Sequence, residues 1–226
     1  QNFDYVLLLN NDTEVNPNFL SLLESRMDSD KNLAATQPLI LNFQNKDTIW
    51  NAGGSFNTFF GLSKTRSKGM IYKPKLKIDT FTEWISGCCI LVKISVIKEV
   101  GLLDNHFFAY FEDVDWSIRM KSLGYKLGVV PSSIIYHHSS GSTKKNNTSS
   151  EGNLSPYAHY LNVRNHIYLI NKHAFIFNSI GSWGYQVLKI TSYSIYFILR
   201  GRFEKFKMVW RGVLDGIKIK NIKNIV

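Results

Sequence analysis

The sequence predicts an α/β domain followed by a helical tail. Three observations carry this. Short apolar runs alternate with amphipathic stretches as far as residue 139, the pattern of strands interleaved with helices. Residues 139–153 then contain no apolar side chain, as a loop or linker would, and beyond them the periodicity is helical only. The charge divides at the same place. Residues 1–139 carry 14 Lys+Arg against 14 Asp+Glu, whereas residues 140–226 carry 13 against 3, so the formal +10 lies entirely in the second part. The expected organisation is a domain at 1–139, a flexible loop at 140–155 and a basic helical tail at 156–226.

Tyr5-Val6-Leu7-Leu8-Leu9 is a continuous apolar run, as in a strand covered on both faces. Asn16 and Pro17 mark a helix start, and Phe19, Leu20, Leu22, Leu23 and Met27 give its apolar face. Ala34 to Leu41 is a second strand. Residues 42–80, rich in Asn, Lys and Gly, are expected to form hairpins and loops. Trp84 to Val92 is a further strand, and a short helix from Ser95 stops at Gly101. A helix starts near Glu112, with acids at its positive end and Lys121 near its negative end, and stops at Gly124. Strands at Lys126–Val130 and Ile134–His137 flank Pro131-Ser132. In the tail, Tyr157–Lys172, Ser179–Arg200 and Phe203–Gly216 are predicted helices.

The composition narrows the function. With 226 residues and 44% hydrophobic side chains the chain buries a real core, and the neutral first part speaks against a nucleic-acid protein. Cys88 and Cys89 are adjacent, so a disulfide between them would be strained; they are expected to be reduced and buried. No signal peptide is visible. Because a buried strand begins at once after Gln1, the chain is expected to be the C-terminal portion of a longer protein.

Four groups of residues have chemistry to offer. Asn10-Asn11-Asp12 ends the first buried strand, where ligands of α/β sheets bind, and Asp12 can hold a hard divalent cation; an Asx turn is the alternative. Glu112, Asp113 and Asp115 crowd one helix start among aromatic residues, an arrangement that raises carboxyl pKa values toward those of a base; a solvated cap is the alternative. His137-His138 closes the last strand and offers imidazole to a metal. The tail places Ile180, Trp183, Val187, Ile190 and Phe197 at helical spacing beside Arg200, Arg202, Lys205, Lys207 and Arg211. That suits either an interfacial helix on anionic lipid or core packing.

Taken in order, Asp4–Glu14, Trp84–Val92, Gly101–Asp104 with Phe111–Trp116, and Tyr136–His138 resemble the motifs of family 2 glycosyltransferases of the GT-A fold, closest to rhamnosyltransferase-like and galactofuranosyltransferase-like members. The resemblance implies the C-terminal part of a Rossmann-like mixed sheet with flanking helices, the nucleotide-binding strands lying before Gln1. It implies inverting transfer from a nucleotide-sugar donor to a cell-surface glycan or lipid-linked acceptor, at the cytoplasmic face of the plasma membrane. Asp113 would be the general base. Asp12 and His137 would hold Mg²⁺ or Mn²⁺ on the diphosphate, although Asn10 stands where the family's metal motif has its first Asp. Asn10, Asn11 and Arg164 would contact the donor, and Trp84, Glu112, Asp115 and Trp116 the acceptor. The 139–153 loop would close over the donor. A metal-dependent hydrolase and a non-catalytic glycan- or membrane-binding module are the rival readings.

Overall fold

The computed structural model describes residues 3–74, 78, 80–138 and 154–219, so nearly all of the expected loop at 140–155 lies outside the described residues. The chain divides into two compact units. One comprises residues 1–56, 63–105 and 112–139; the other comprises 57–62, 106–111 and 140–226.

The first unit is built on a mixed sheet. Its strands are β1 (Tyr5–Leu9), β2 (Thr13–Val15), β3 (Leu33–Asn42), β4 (Ile49–Asn51), β7 (Phe81–Thr82), β8 (Cys89–Lys93) and β9 (Lys126–His137), with a separate β5 (Gly54–Asn57) and β6 (Leu62–Thr65) ribbon. The order is β1-β8-β3-β9-β2, with β4 on β3 and β7 on β9. The pairing of β3 with β9 is parallel; β1 with β8, β8 with β3, and β2 with β9 are antiparallel. Helices α1 (Phe19–Ser29), α2 (Ile94–Val100) and α3 (Glu112–Ser122) cover it. Strand β8 shows why its sequence is uninterruptedly apolar. Cys89 and Leu91 pack with Phe19, Leu23 and Met27 of α1, whereas Ile90 and Val92 pack with Val96 of α2 and Trp116 and Met120 of α3. Strand β1 alternates likewise, although it lies at an end of the sheet order and is only half-buried.

Three boundaries differ from the sequence reading, each for a local reason. Helix α1 begins at Phe19, not at Pro17, because Pro17 and Asn18 form a turn closed by the Phe19 N–H on the Asn16 carbonyl (3.0 Å). Residues 84–88 are not strand. The N–H groups of Ile85 and Ser86 are taken by side chains, Ser117 Oγ at 3.1 Å and Gln37 Oε1 at 2.8 Å, in place of a neighbouring strand. The two strands expected around Pro131 are one, β9, whose register on β3 jumps from Val130 to Ile134.

The second unit contains α4 (Pro156–Lys172), α5 (Ser179–Leu199) and α6 (Phe203–Lys218). Ser155 caps α4 through the Ala158 N–H (3.1 Å) and Asn178 caps α5 through the Gly181 N–H (2.8 Å). Gly212 and Gly216 let α6 lie against the α4 backbone: a Cβ there would sit 2.7 Å from the carbonyls of Tyr160 and Arg164. Val163, Ile167, Ile190, Phe197 and Val209 form the core between the helices. The predicted single face of α5 splits, since Ile190 and Phe197 are buried while Ile180 and Val187 are exposed.

The same unit holds residues 106–111 in an unusual conformation. Phe108, Tyr110 and Phe111 all have positive φ (61°, 67° and 72°), which bulky side chains adopt only under constraint. The constraint comes from α4. Asn165 Nδ2 donates to the carbonyls of Phe107, Ala109 and Tyr110 at 2.8, 2.7 and 3.0 Å. Arg164 Nη2 donates to those of His106 and Phe107 at 2.7 and 3.0 Å. The His166 ring stacks on Phe111.

In the first unit the buried Gln37 anchors the 84–88 turn. Its Oε1 accepts from Ser86 N–H, and its Nε2 donates to Asn51 Oδ1 at 3.0 Å. Gln37→Leu keeps the volume but leaves the Ser86 N–H buried and unpaired. It is expected to lower unfolding free energy by about 2–3 kcal/mol in urea titrations at unchanged slope; a loss under about 1 kcal/mol would show that the network does not anchor the turn.

Candidate active site

The Ser86–Cys89 turn brings together what the sequence scatters. On one side the Cys88 carbonyl accepts from Asn10 N–H (3.0 Å), which fixes the start of the Asn10-Asn11-Asp12 turn where β1 ends. On the other side the Gly87 N–H donates to Asp113 Oδ2 (2.7 Å). Ser117 Oγ completes the frame, donating to the Asp113 carbonyl (2.7 Å) while accepting from Ile85 N–H. Pairing of β2 with β9 sets Thr13 opposite His137, and His138 N–H donates to the Asp12 carbonyl (2.9 Å). Both Asp12 and Asp113 lie close enough to Cys88 for their charges to add to the burial that raises its thiol pKa. Both cysteines are free and buried.

Two subsites result. In the first, Asp12 Oδ1 faces His137 Nε2 at 3.3 Å, and Trp50 packs edge-on against the imidazole at 4.4 Å. Burial lowers the His137 pKa and favours the neutral ring that ligates metals, although Asp12 pulls the other way. Among the described residues no three His, Cys, Asp or Glu side chains converge as a metal-holding group. The pair nevertheless suits a cation that draws its remaining oxygens from a diphosphate and water. Asn10 and Asn11 are exposed in the adjoining turn.

In the second subsite, Glu112 and Asp113 begin α3 and both face Gly87. A Cβ there would lie 3.5 Å from Asp113 Oδ2 and 3.6 Å from Glu112 Oε1. Asp113 Oδ1 also accepts from Val114 N–H (2.8 Å). Burial raises the Asp113 pKa, and the N–H groups of Gly87 and Val114 restrain the rise. Glu112 is pushed up to about 7, by burial first and by the Asp113 charge second. Its Oε2 is buried with no hydrogen-bond partner among the described residues. A carboxyl pair of this kind can take up a proton near neutral pH.

The remaining predicted contacts are placed elsewhere. Asp115 is fully buried and ion-paired to Arg119 (2.9 Å), whose guanidinium also donates to the Val100 and Leu102 carbonyls; it braces α3 and cannot reach an acceptor. Trp116 is buried in the core with Nε1 on the Gly101 carbonyl (2.9 Å), so it presents no open ring face. Trp84 is 7% exposed, its indole packed on Gly54 and its Nε1 without a partner among the described residues. Arg164 belongs to the second unit, and its guanidinium is engaged with the His106 and Phe107 carbonyls and Asn165 Oδ1. Gln37, Ser86, Gly87 and Ser117 frame the site without standing out in the sequence. The available signal was a glycine inside an apparent strand, which marks a close backbone approach.

Comparison with known proteins identifies the family and the fold. The family model for glycosyl transferase family group 2 matches residues 5–214. An N-acetylglucosaminyl-diphospho-decaprenol L-rhamnosyltransferase of Mycobacterium tuberculosis (strain CDC 1551 / Oshkosh) is 41% identical over 54 residues, 24% of this chain and 18% of the relative. The rhamnosyltransferase WbbL of Escherichia coli K12 is 32% identical over 77 residues, 34% of this chain and 28% of the relative. The alignments thus span less than a third of these relatives' lengths. Among solved structures, that of GalNAc-T7 with UDP, GalNAc and Mn²⁺ superposes with a TM-score of 0.51 at 18% identity, covering 74% of this chain and 31% of that one. It shares the fold, a GT-A glycosyltransferase architecture. With its family model matched over almost the whole length, the chain belongs to the family 2 glycosyltransferases, with rhamnosyltransferases among its relatives.

Proposed function

We propose that this chain carries the catalytic residues of an inverting glycosyltransferase that moves a sugar, of the rhamnose type by kinship, from a nucleotide donor to a glycan or lipid-linked acceptor at the cytoplasmic face of the membrane. The observation that carries the reading is the Glu112–Asp113 pair held against Gly87, at the same turn that fixes Asp12 beside His137. Asp113 is the general base. Its Oδ2 is aimed by the Gly87 N–H, and its surroundings favour the protonated product of the reaction. The acceptor hydroxyl oxygen forms its bond to the anomeric carbon as the bond from that carbon to the diphosphate oxygen breaks, and the hydroxyl proton passes to Asp113. Glu112, held partly protonated, orients the acceptor hydroxyl. Asp12 and His137 would hold Mg²⁺ or Mn²⁺, which when bound neutralises charge on the departing diphosphate. Asn10 and Asn11, exposed beside Asp12, are the donor-facing residues of the turn.

Two substitutions test this reading. Asp113→Asn retains the shape and the Gly87 contact but not the basicity; transfer is expected to fall at least about 100-fold, with donor affinity within about threefold of wild type. Transfer above about a tenth of wild type would remove Asp113 as the base. Asp12→Ala is expected to weaken Mn²⁺-dependent donor binding about tenfold or more by calorimetry, with little change when metal is withheld. Unchanged Mn²⁺-dependent binding would overturn the metal assignment.

A further inference from the structure

Helix α5 is apolar on its outer face as well as on the inner face that carries Ile190 and Phe197. Its outward positions include Ile180 (86% exposed), Val187 (63%), Leu188 (66%), Ile195, Ile198 and Leu199 (79%), and none of its exposed residues is charged. Its one charged residue, Lys189, turns inward, with Nζ 3.3 Å from the buried His166 Nδ1. Soluble helices show the reverse arrangement. Helix α6 continues the pattern. Its inner face is Val209, Gly212 and Gly216 against α4, while Phe203, Trp210, Leu214 and Ile217 face outward at helical spacing. Trp210 Nε1 donates to Ser194 Oγ of α5 (3.1 Å), which joins the two apolar stripes into one surface.

Cations border that surface. Lys207, Arg211 and Lys218 are exposed on α6, and Arg200 follows the end of α5; Glu204 and Asp215 bridge Lys207 (3.0 Å) and Arg211 (3.6 Å), which leaves Lys218 and Arg200 as the excess. The sequence from residue 140 onward carries 13 Lys+Arg against 3 Asp+Glu. An apolar stripe with an indole, edged by Lys and Arg, is the composition that lies in the headgroup region of an anionic bilayer. The surplus of cations over acids favours an anionic lipid surface over a purely apolar partner. Among the described residues no helix is long and apolar enough to cross a membrane, which excludes insertion of α5 or α6 as a span.

We propose that the outer face of α5 and α6 docks on the surface of an anionic lipid bilayer, the apolar stripe entering the headgroup boundary and the cations pairing with lipid phosphates. The proposal is independent of the catalytic reading, because vesicle binding requires neither donor nor acceptor.

The test is sedimentation of the full chain with vesicles of phosphatidylcholine containing about 30% phosphatidylglycerol, compared with pure phosphatidylcholine, at low and high salt. Binding to the anionic vesicles that weakens at least tenfold in high salt is expected. Lys207→Glu combined with Lys218→Glu should weaken it about tenfold or more. Leu188→Gln combined with Leu214→Gln, both at exposed positions that folding does not require, should weaken it on the same scale. Circular dichroism checks that both variants are folded. No binding of the folded wild type to anionic vesicles would overturn the proposal. So would binding indifferent to both variants, or a concentration-dependent dimer that buries the stripe and is dissolved by the Leu188→Gln and Leu214→Gln pair without any vesicle association.

Discussion

The hydrogen bond from the Gly87 N–H to Asp113 is the contact on which the proposed chemistry depends. It joins the turn before β8 to the first turn of α3, and both would be poorly placed without it. The turn is irregular, and its N–H groups have no strand to pair with. Gln37 and Ser117 supply the partners from inside the core, where an unpaired N–H would be expensive. The same turn receives the end of β1 through the Cys88 carbonyl. One short segment therefore sets the position of two carboxylates that are about a hundred residues apart in sequence.

The three acids at the start of α3 show how environment separates similar side chains. Asp115 points into the core and is neutralised by Arg119, so its work is to hold α3 against the segment after α2. Glu112 and Asp113 face Gly87 instead, and among the described residues no Lys or Arg is ion-paired to them. Burial without a counter-charge raises both pKa values, which is the condition for a carboxyl group that exchanges protons near neutral pH. Position on the helix separates Asp113 from Asp115, which lie about 200° apart around the axis, whereas Glu112 differs from Asp115 in lacking the i+4 arginine that Asp115 has in Arg119.

Much of this was legible in the sequence. Apolar runs located β1, β3 and β9, glycines located the ends of α2 and α3, and the clustered acids and late histidine located the two subsites. What was not legible depended on long-range side-chain to backbone bonds. Ser86-Gly87 looked like strand because Gln37, far away in sequence, supplies the hydrogen bond a neighbouring strand would have made. Arg164 looked like a phosphate ligand because nothing local reveals that residues 106–111 need its guanidinium and the Asn165 amide to hold three aromatic residues at positive φ. Trp116 looked like a sugar platform, but its place in the α3 repeat faces the core. The exposed stripe of α5 was the least predictable, because hydropathy reports apolar content and not the direction in which it points.

The central claim is that Asp113, beside Glu112, takes the acceptor proton, and the pH dependence of kcat tests it most directly. A base must be deprotonated to act, and burial raises the Asp113 pKa, so kcat should rise with pH along a limb that lies above the ordinary carboxylate range. Replacing Glu112 by Gln should move that limb to lower pH, because Asp113 then titrates without a neighbouring carboxyl. A wild-type profile that is flat from about pH 5 to 8, or a limb that Glu112→Gln leaves in place, would contradict the account.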